Sequence, residues 1–122
     1  MKTVVIIGRF SAAIHGIIYS LKNDKSILAH VVIAACVIFM GVFFVISNQD
    51  WLLIATAICA VIFAEMTNSA MEQLSDVVDA NQNIMIKRVK DVMAGAVLMV
   101  CIYAVVIGIY VFYQPLVAFF WS

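Results

Sequence analysis

The sequence has few charged residues, three cysteines and a single proline, and these scarcities exclude several classes of protein. Only 11% of the 122 residues are charged, and seven basic side chains balance seven acidic ones. The formal net charge is therefore zero, without the basic excess of a nucleic-acid-binding protein. Cys36, Cys59 and Cys101 lie far apart and lack the spacing of a metal site or a redox pair. We interpret them as small packing residues.

Apolar residues are what the sequence has in abundance. They make up 66% of the chain, and the mean hydropathy is +1.15. A soluble domain of this length could not bury so much apolar surface, so the composition indicates an integral membrane protein. Only helices or closed barrels satisfy backbone groups in lipid, and long uninterrupted apolar runs exclude a small barrel. We predict an all-α membrane protein with one domain over residues 1–122.

The apolar runs predict three transmembrane helices, each near the roughly 20 residues that a span requires. The predicted spans are residues 28–47, 51–71 and 92–113, with Pro115 ending the third. Before them, apolar residues follow the i, i+3, i+4 pattern of an amphipathic helix lying in the membrane surface over about residues 9–23.

The distribution of positive charge predicts the topology. All seven cations precede the first span or lie between the second and third: Lys2, Arg9, Lys22, Lys25, Lys87, Arg88 and Lys90. The positive-inside rule then places the N-terminus and the 73–91 loop in the cytoplasm and the C-terminus outside.

Five polar residues form one stripe along the second predicted span and its extension. This polar stripe consists of Glu65, Asn68, Glu72, Asp76 and Asp79. At about 100° per residue, these positions share an arc of about 80°. A carboxylate at membrane depth costs about 2.5–3.5 kcal/mol on insertion scales, which makes it a functional-site hypothesis. Near a lipid headgroup, Glu65 could take a proton from a hydroxyl.

The cytoplasmic part of the stripe favours a metal and a phosphate. Glu72 and Asp76, together with Asp24, offer the hard oxygen ligands that suit Mg²⁺ beside a substrate phosphate. Lys90 supplies a positive charge for that phosphate, and Asn68 could hydrogen-bond a neighbouring glutamate or a transferred phosphoryl group.

Other interpretations of these residues stay open. Asp76 and Asp79 could be a solvated helix face, and Lys87 and Arg88 could be topology anchors at lipid headgroups. We interpret the two histidines as interfacial residues rather than ligands: His15 and His30. The sequence has no P-loop and no protein-kinase glycine loop. Composition alone therefore indicates a small membrane protein with a carboxylate site facing the cytoplasm.

Two motifs resemble the bacterial diacylglycerol kinase and undecaprenol kinase family. The first is Glu65-Met-Thr-Asn68-Ser-Ala-Met-Glu72 followed by Asp76, similar to E-x-x-N-[ST]-A-[IM]-E-x-x-x-D. The second is Lys90-Asp91-Val-Met-Ala-Gly-Ala-Val97, similar to K-D-x-x-[AS]-[GA]-A-V. The resemblance extends to the start of the chain, through Arg9-Phe10-x-x-Ala13-x-x-Gly16-Ile17 and Asp24.

The resemblance implies a homotrimer of three-span subunits in the bacterial plasma membrane, with active sites shared between neighbours. It implies transfer of the ATP γ-phosphoryl group to the primary hydroxyl of a membrane lipid. By position, Glu65 resembles the general base and Asn68 a polar support. Glu72 and Asp24 resemble Mg²⁺ ligands that also bind the nucleotide, and Lys90 with Asp91 resembles a nucleotide contact. The chain departs from the family at Asp24, where glutamate is usual, and in the 80–86 loop, which lacks a frequent His-Pro pair.

The acceptor lipid is predicted from two smaller features. Ala94-Gly95-Ala96 and His30 are similar to the Gram-positive branch, which implies undecaprenol as the acceptor and diacylglycerol as the alternative. Two other classes of function stay open at this point. One is a small proton-coupled multidrug transporter, and the other is an assembly subunit packed through small residues.

Overall fold

Four helices make up the part of the chain that the structure describes. The computed structural model describes residues 1–81 and 83–122, and all the secondary-structure elements in this part of the chain are α-helices. The helices are α1 (Lys2–Asn23), α2 (Lys25–Phe43), α3 (Asn48–Val78) and α4 (Ile84–Trp121). Each is long and apolar enough to cross a membrane. The prediction of an all-α protein with the character of a membrane protein is confirmed.

Residues with short polar side chains cap the N-termini of α2, α3 and α4. The Asp24 carboxylate accepts hydrogen bonds from the backbone N–H groups of Ser26 and Ile27, at 2.8 and 3.4 Å. Ser47 and Asn83 accept corresponding bonds at the starts of α3 and α4. Such a cap contributes about 1 kcal/mol because it satisfies N–H groups that lack partners within the helix.

Several helix boundaries differ from the predicted ones. Helix α1 begins at Lys2 rather than near residue 9, and α2 ends at Phe43 rather than at residue 47. The predicted 73–91 loop is mostly helical, because α3 continues to Val78 and α4 begins at Ile84. Gln82, which belongs to the 80–86 segment, lies outside the described residues.

Pro115, which was predicted to end the third span, does not end the helix that contains it. Helix α4 continues through Pro115 to Trp121. Proline lacks the N–H that would bond to the carbonyl four residues earlier, so it removes one helical bond. The residues after it are apolar, and in lipid only a continued helix satisfies their backbone groups.

Helix α3 packs against both α2 and α4 and thereby organises the bundle. A buried cluster of Ile54, Val111 and Phe112 joins α3 to α4 near one end. At the same end, Gly41 of α2 lies against Trp51 of α3, so that a Cβ at Gly41 would approach the indole ring to 2.7 Å. Helix α1 contacts α2 and contains no buried residue.

Candidate active site

Glu65 is the one buried carboxylate among the described residues, and α2 supplies its partners. The side chain is only 9% exposed, and its Oε1 lies 2.9 Å from His30 Nε2. Its second oxygen, Oε2, accepts a hydrogen bond from the Ser26 hydroxyl at 3.2 Å. Both oxygens of the carboxylate therefore have a partner from the facing helix.

The start of α2 explains how these partners reach Glu65. Asp24 caps the helix, which therefore begins at Lys25. Ser26 and His30 are four residues apart and so lie on the same helical face, one turn from each other. On α3, Glu65 follows the buried residue Val61 by the same interval, so its side chain also faces the bundle.

Asn68 and Glu72 form a second pair on α3. Asn68 Nδ2 donates a long hydrogen bond, 3.4 Å, to Glu72 Oε1. Asn68 Oδ1 is buried and has no hydrogen-bond partner among the described residues. A buried acceptor without a donor is uncommon in folded proteins, which marks this oxygen as a position where a further donor would be stabilising.

Ion pairs organise the end of the site near the α3–α4 connection. Lys90 Nζ donates to Asp76 Oδ1 at 2.8 Å and links α4 to α3. Lys87 forms a 2.9 Å pair with Asp91 within α4. Because Asp91 pairs with Lys87 and Lys90 pairs with Asp76, the two adjacent residues of the Lys-Asp motif have different partners.

Asp76 is exposed, as the interpretation of a solvated face expects, but both Asp76 and Asp79 have hydrogen-bond partners. Asp76 is paired with Lys90. Asp79 accepts hydrogen bonds from the backbone N–H groups of Asn81 and Asn83, at 2.9 and 3.3 Å, and from the Asn83 side-chain amide at 2.8 Å. Asp79 therefore shapes the connection that leads into α4.

The polar stripe thus divides into separate contacts. Glu65 contacts His30 of α2, Asn68 contacts Glu72 within α3, and Asp76 contacts Lys90 of α4. Over residues 1–81 and 83–122, no group of three or more His, Cys, Asp or Glu side chains gathers as a candidate metal site. Mg²⁺ typically takes only one or two protein carboxylates and completes its shell with phosphate and water, so Asp24 and Glu72 have suitable chemistry.

An apolar groove begins at His30, the partner of Glu65. A cavity of about 340 Å³ is lined by residues of α2, α3 and α4, and His30 is the polar residue at its edge. A second cavity, of about 400 Å³, lies between α2 and α4. The two share Val37, Val105 and Gly108 and so adjoin each other, and we refer to them together as the apolar groove. Along α2 the lining extends from His30 to Met40, which is about 15 Å of helix.

The sequence interpretation missed His30 and Ser26 as site residues. It treated His30 as an interfacial side chain, whereas the structure pairs it with Glu65 across 35 positions of sequence. A usable signal was present: Ser26, His30 and the buried Ala34 recur every four residues and so define one face of α2. A buried glutamate needs polar partners, and this face offers two.

Comparisons with known proteins agree with the two motifs. The family model described as prokaryotic diacylglycerol kinase matches residues 11–112. The chain is also similar to the undecaprenol kinase of Bacillus subtilis (strain 168), with 26% identity over 110 residues. That match covers 88% of this chain and 89% of the relative. The predicted lipid-kinase activity is thereby confirmed: the chain belongs to the prokaryotic diacylglycerol kinase family and is an ATP-dependent lipid kinase.

Proposed function

We propose that the protein phosphorylates undecaprenol to undecaprenyl phosphate, with Glu65 as the general base. The observation that carries this proposal is the buried Glu65 carboxylate held against His30, the polar residue at the edge of the apolar groove. An isoprenoid chain in the groove would bring its terminal hydroxyl to this polar edge. The groove is the environment that a long apolar chain with a single polar end requires.

The proposed reaction is a single phosphoryl transfer. The Glu65 carboxylate accepts the hydroxyl proton while the hydroxyl oxygen bonds to the γ-phosphorus of ATP. The bond from that phosphorus to the β,γ-bridging oxygen breaks, and ADP leaves with its electron pair. Such a reaction depends mainly on positioning and electrostatic stabilisation, so a small protein with few polar residues suffices.

The proposed nucleotide site lies beyond Asn68, towards the α3–α4 connection. Asp24 and Glu72 would hold Mg²⁺, which when bound neutralises charge on the phosphate oxygens. Lys90 and Asp91 contact the nucleotide, and Asp76 holds Lys90 in place through their 2.8 Å pair. Asn68 orients Glu72 with its amide nitrogen and leaves its buried oxygen for a donor from the substrates.

The undecaprenol acceptor is supported by two observations. The relative from Bacillus subtilis bears the name undecaprenol kinase. The two adjoining cavities also lie end to end along α2, an arrangement that suits one isoprenoid chain better than the two acyl chains of diacylglycerol. Diacylglycerol, which would yield phosphatidate, is the second candidate acceptor.

The proposed assembly is a homotrimer in the bacterial plasma membrane. Family resemblance supports the trimer, and the large apolar side chains that α4 leaves exposed support the membrane location, among them Leu98, Met99 and Ile102. We propose that α1 lies in the membrane surface. The N-terminus and the 73–91 segment then face the cytoplasm, and the C-terminus faces outside.

The acceptor is tested by offering each lipid separately. Purified protein with labelled ATP and Mg²⁺ receives undecaprenol or diacylglycerol in matched mixed micelles, and kcat/KM is measured for each. We expect undecaprenol to give the higher value. Robust phosphatidate formation without undecaprenyl phosphate would overturn the choice of acceptor while leaving the kinase activity intact.

The assignment of the base is tested by Glu65→Gln, which keeps the side-chain size and removes the proton acceptor. We expect kcat to fall by about 10²-fold or more, because general-base catalysis contributes about 10²–10⁴-fold. The comparison variant Glu72→Gln should mainly raise the KM for Mg-ATP. A Glu65→Gln protein with wild-type kcat would exclude Glu65 as the base.

A further inference from the structure

We infer that His30 is a positioning residue that fixes the Glu65 carboxylate as a hydrogen-bond donor, without itself taking the proton. The inference rests on the proposed role of Glu65 as the base. Its starting point is the 2.9 Å contact between His30 Nε2 and Glu65 Oε1. The proposal assigns to His30 the tautomer in which Nε2 carries the hydrogen.

Two donors on one helix face constrain Glu65 more than either could alone. His30 binds Oε1 and the Ser26 hydroxyl binds Oε2, so rotation of the carboxylate about its terminal bond would break both contacts. A glutamate has three rotatable side-chain bonds, and reaction rates fall steeply when a reacting group is misplaced by about 1 Å. Holding both oxygens removes the last of these rotations.

The contact leaves the base able to act. Each carboxylate oxygen can accept two hydrogen bonds, so the bonds from His30 and Ser26 leave a lone pair on each oxygen for the lipid hydroxyl. Burial strengthens these bonds, because water does not compete for the carboxylate. The Glu65 side chain is 9% exposed and the His30 side chain 24%.

The fold places this pair at the mouth of the groove. His30 contacts Glu65 and also lines the 340 Å³ cavity, so the carboxylate lies next to the residue that forms the polar edge of the groove. The Asp24 cap fixes where α2 begins and therefore where Ser26 and His30 lie relative to α3. In this arrangement the acceptor hydroxyl meets a carboxylate that is already oriented.

The test exploits the difference in reach between glutamine and asparagine. The glutamine Nε2 lies as many bonds from Cβ as the imidazole Nε2 does, so His30→Gln retains a donor to Glu65. Asparagine is one bond too short, and alanine has no donor. We expect His30→Gln to keep kcat within about threefold of wild type, and His30→Asn and His30→Ala to lose about tenfold to a hundredfold in kcat. The KM for ATP should change less than about twofold, because the nucleotide site is separate. His15→Ala on α1 is the matched control.

A spectroscopic measurement makes the inference independent of turnover. In protein labelled with ¹⁵N-histidine, the ring nitrogens of His30 should report the Nε2–H tautomer. Glu65→Gln should shift the His30 Nε2 resonance and leave the His15 resonances unchanged. This readout also serves if a His30 variant folds poorly, because it uses the native histidine.

The outcomes show whether the inference fails alone or together with the base assignment on which it rests. If Glu65→Gln is inactive and His30→Ala matches wild type, His30 has no positioning role and the kinase proposal stands. If His30→Gln is as inactive as His30→Ala while the protein stays folded, the imidazole takes a proton itself, which overturns the donor role. If Glu65→Gln retains full activity, the base assignment fails, and the inference fails with it.

Discussion

Single residues of the polar stripe differ in their partners, and each partner indicates a task. Glu65 is buried with two donors, whereas Glu72 is exposed and, among residues 1–81 and 83–122, has Asn68 as its one hydrogen-bond partner. The first environment suits a base that must be held still, and the second suits a ligand that must reach a metal ion and a nucleotide. The same side-chain type thus has two proposed roles, because depth and neighbours differ.

Asp76 offers a test of how Lys90 is held. We expect Asp76→Asn to raise the KM for ATP by about fivefold, equivalent to about 1 kcal/mol, because Lys90 loses the pair that orients it. The kcat with saturating ATP should change little. Steady-state kinetics with varied ATP measure the effect, and Asp50→Asn at the opposite end of α3 is the control. An unchanged KM for ATP would show that Lys90 needs no anchor.

Val45 carries backbone strain in the turn between α2 and α3. Its φ is 51°, the left-handed region that β-branched residues avoid, and the residue is 85% exposed. We expect Val45→Asn to stabilise the protein by about 1 kcal/mol, because asparagine tolerates this conformation. Thermal unfolding in detergent measures the change. Val45→Ala keeps a Cβ in the same conformation and should give a smaller gain; equal melting temperatures for all three proteins would contradict the strain.

At the scale of elements, the contact between α2 and α3 has two ends with different chemistry. One end is polar, with Ser26 and His30 on Glu65, and the other is the close packing of Gly41 on Trp51. The apolar end sets how closely the helices approach. The polar end depends on that approach, since a hydrogen bond of 2.9 Å allows little displacement.

Gly41→Ala tests the apolar end. The added methyl would come within 2.7 Å of the Trp51 ring, so we expect a loss of about 1–3 kcal/mol in stability. The matched control is Gly95→Ala in α4, where the new Cβ meets nothing within 4 Å. That control should be neutral or slightly stabilising, because alanine favours helix. Equal melting temperatures for the two variants would show that α2 and α3 can move apart at this contact without a loss of stability.

At the scale of the whole molecule, the packing of the helices determines the shape of the groove. Its lining comes from three helices, and its polar edge is formed by α2 and α3 meeting at His30 and Glu65. An acceptor lipid in this groove would lie along the helices with its hydroxyl at the site. Chain length should therefore affect binding more than the chemical step.

Gly108 provides a way to obstruct the groove without a clash. It lines both cavities, and a Cβ there would meet no atom within 4 Å. We expect Gly108→Leu to raise the KM for undecaprenol severalfold and to affect a short prenol less, with the KM for ATP unchanged. The control is Val106→Leu, an exposed position on the same helix that does not line the groove. Equal effects on long and short acceptors would indicate that the lipid chain lies elsewhere.

The topology can be tested because α1 is also long and apolar enough to span a membrane. If α1 lies in the surface, residues 2 and 87 are on the same, cytoplasmic side. In a cysteine-free background, Lys2→Cys and Lys87→Cys should both react with a membrane-impermeant reagent in inside-out vesicles and not in intact cells. Labelling of the two positions from opposite sides would make α1 a fourth span.

The sequence by itself determined that this is a membrane protein, that it is helical, and which polar side chains are present. Long apolar runs predict membrane helices because lipid leaves the backbone no other partner, and the two motifs identify the kinase family. The local rule that a proline ends a helix gave the wrong expectation at Pro115, because α4 continues through it.

Only the tertiary structure decided which polar groups meet. The pairs of Glu65 with His30 and of Lys90 with Asp76 join positions that lie 35 and 14 residues apart on different helices. Periodicity defines the face on which a residue lies, but it does not define which neighbouring helix that face contacts. That choice depends on how α2 and α4 pack around α3, and packing is a property of all three helices together.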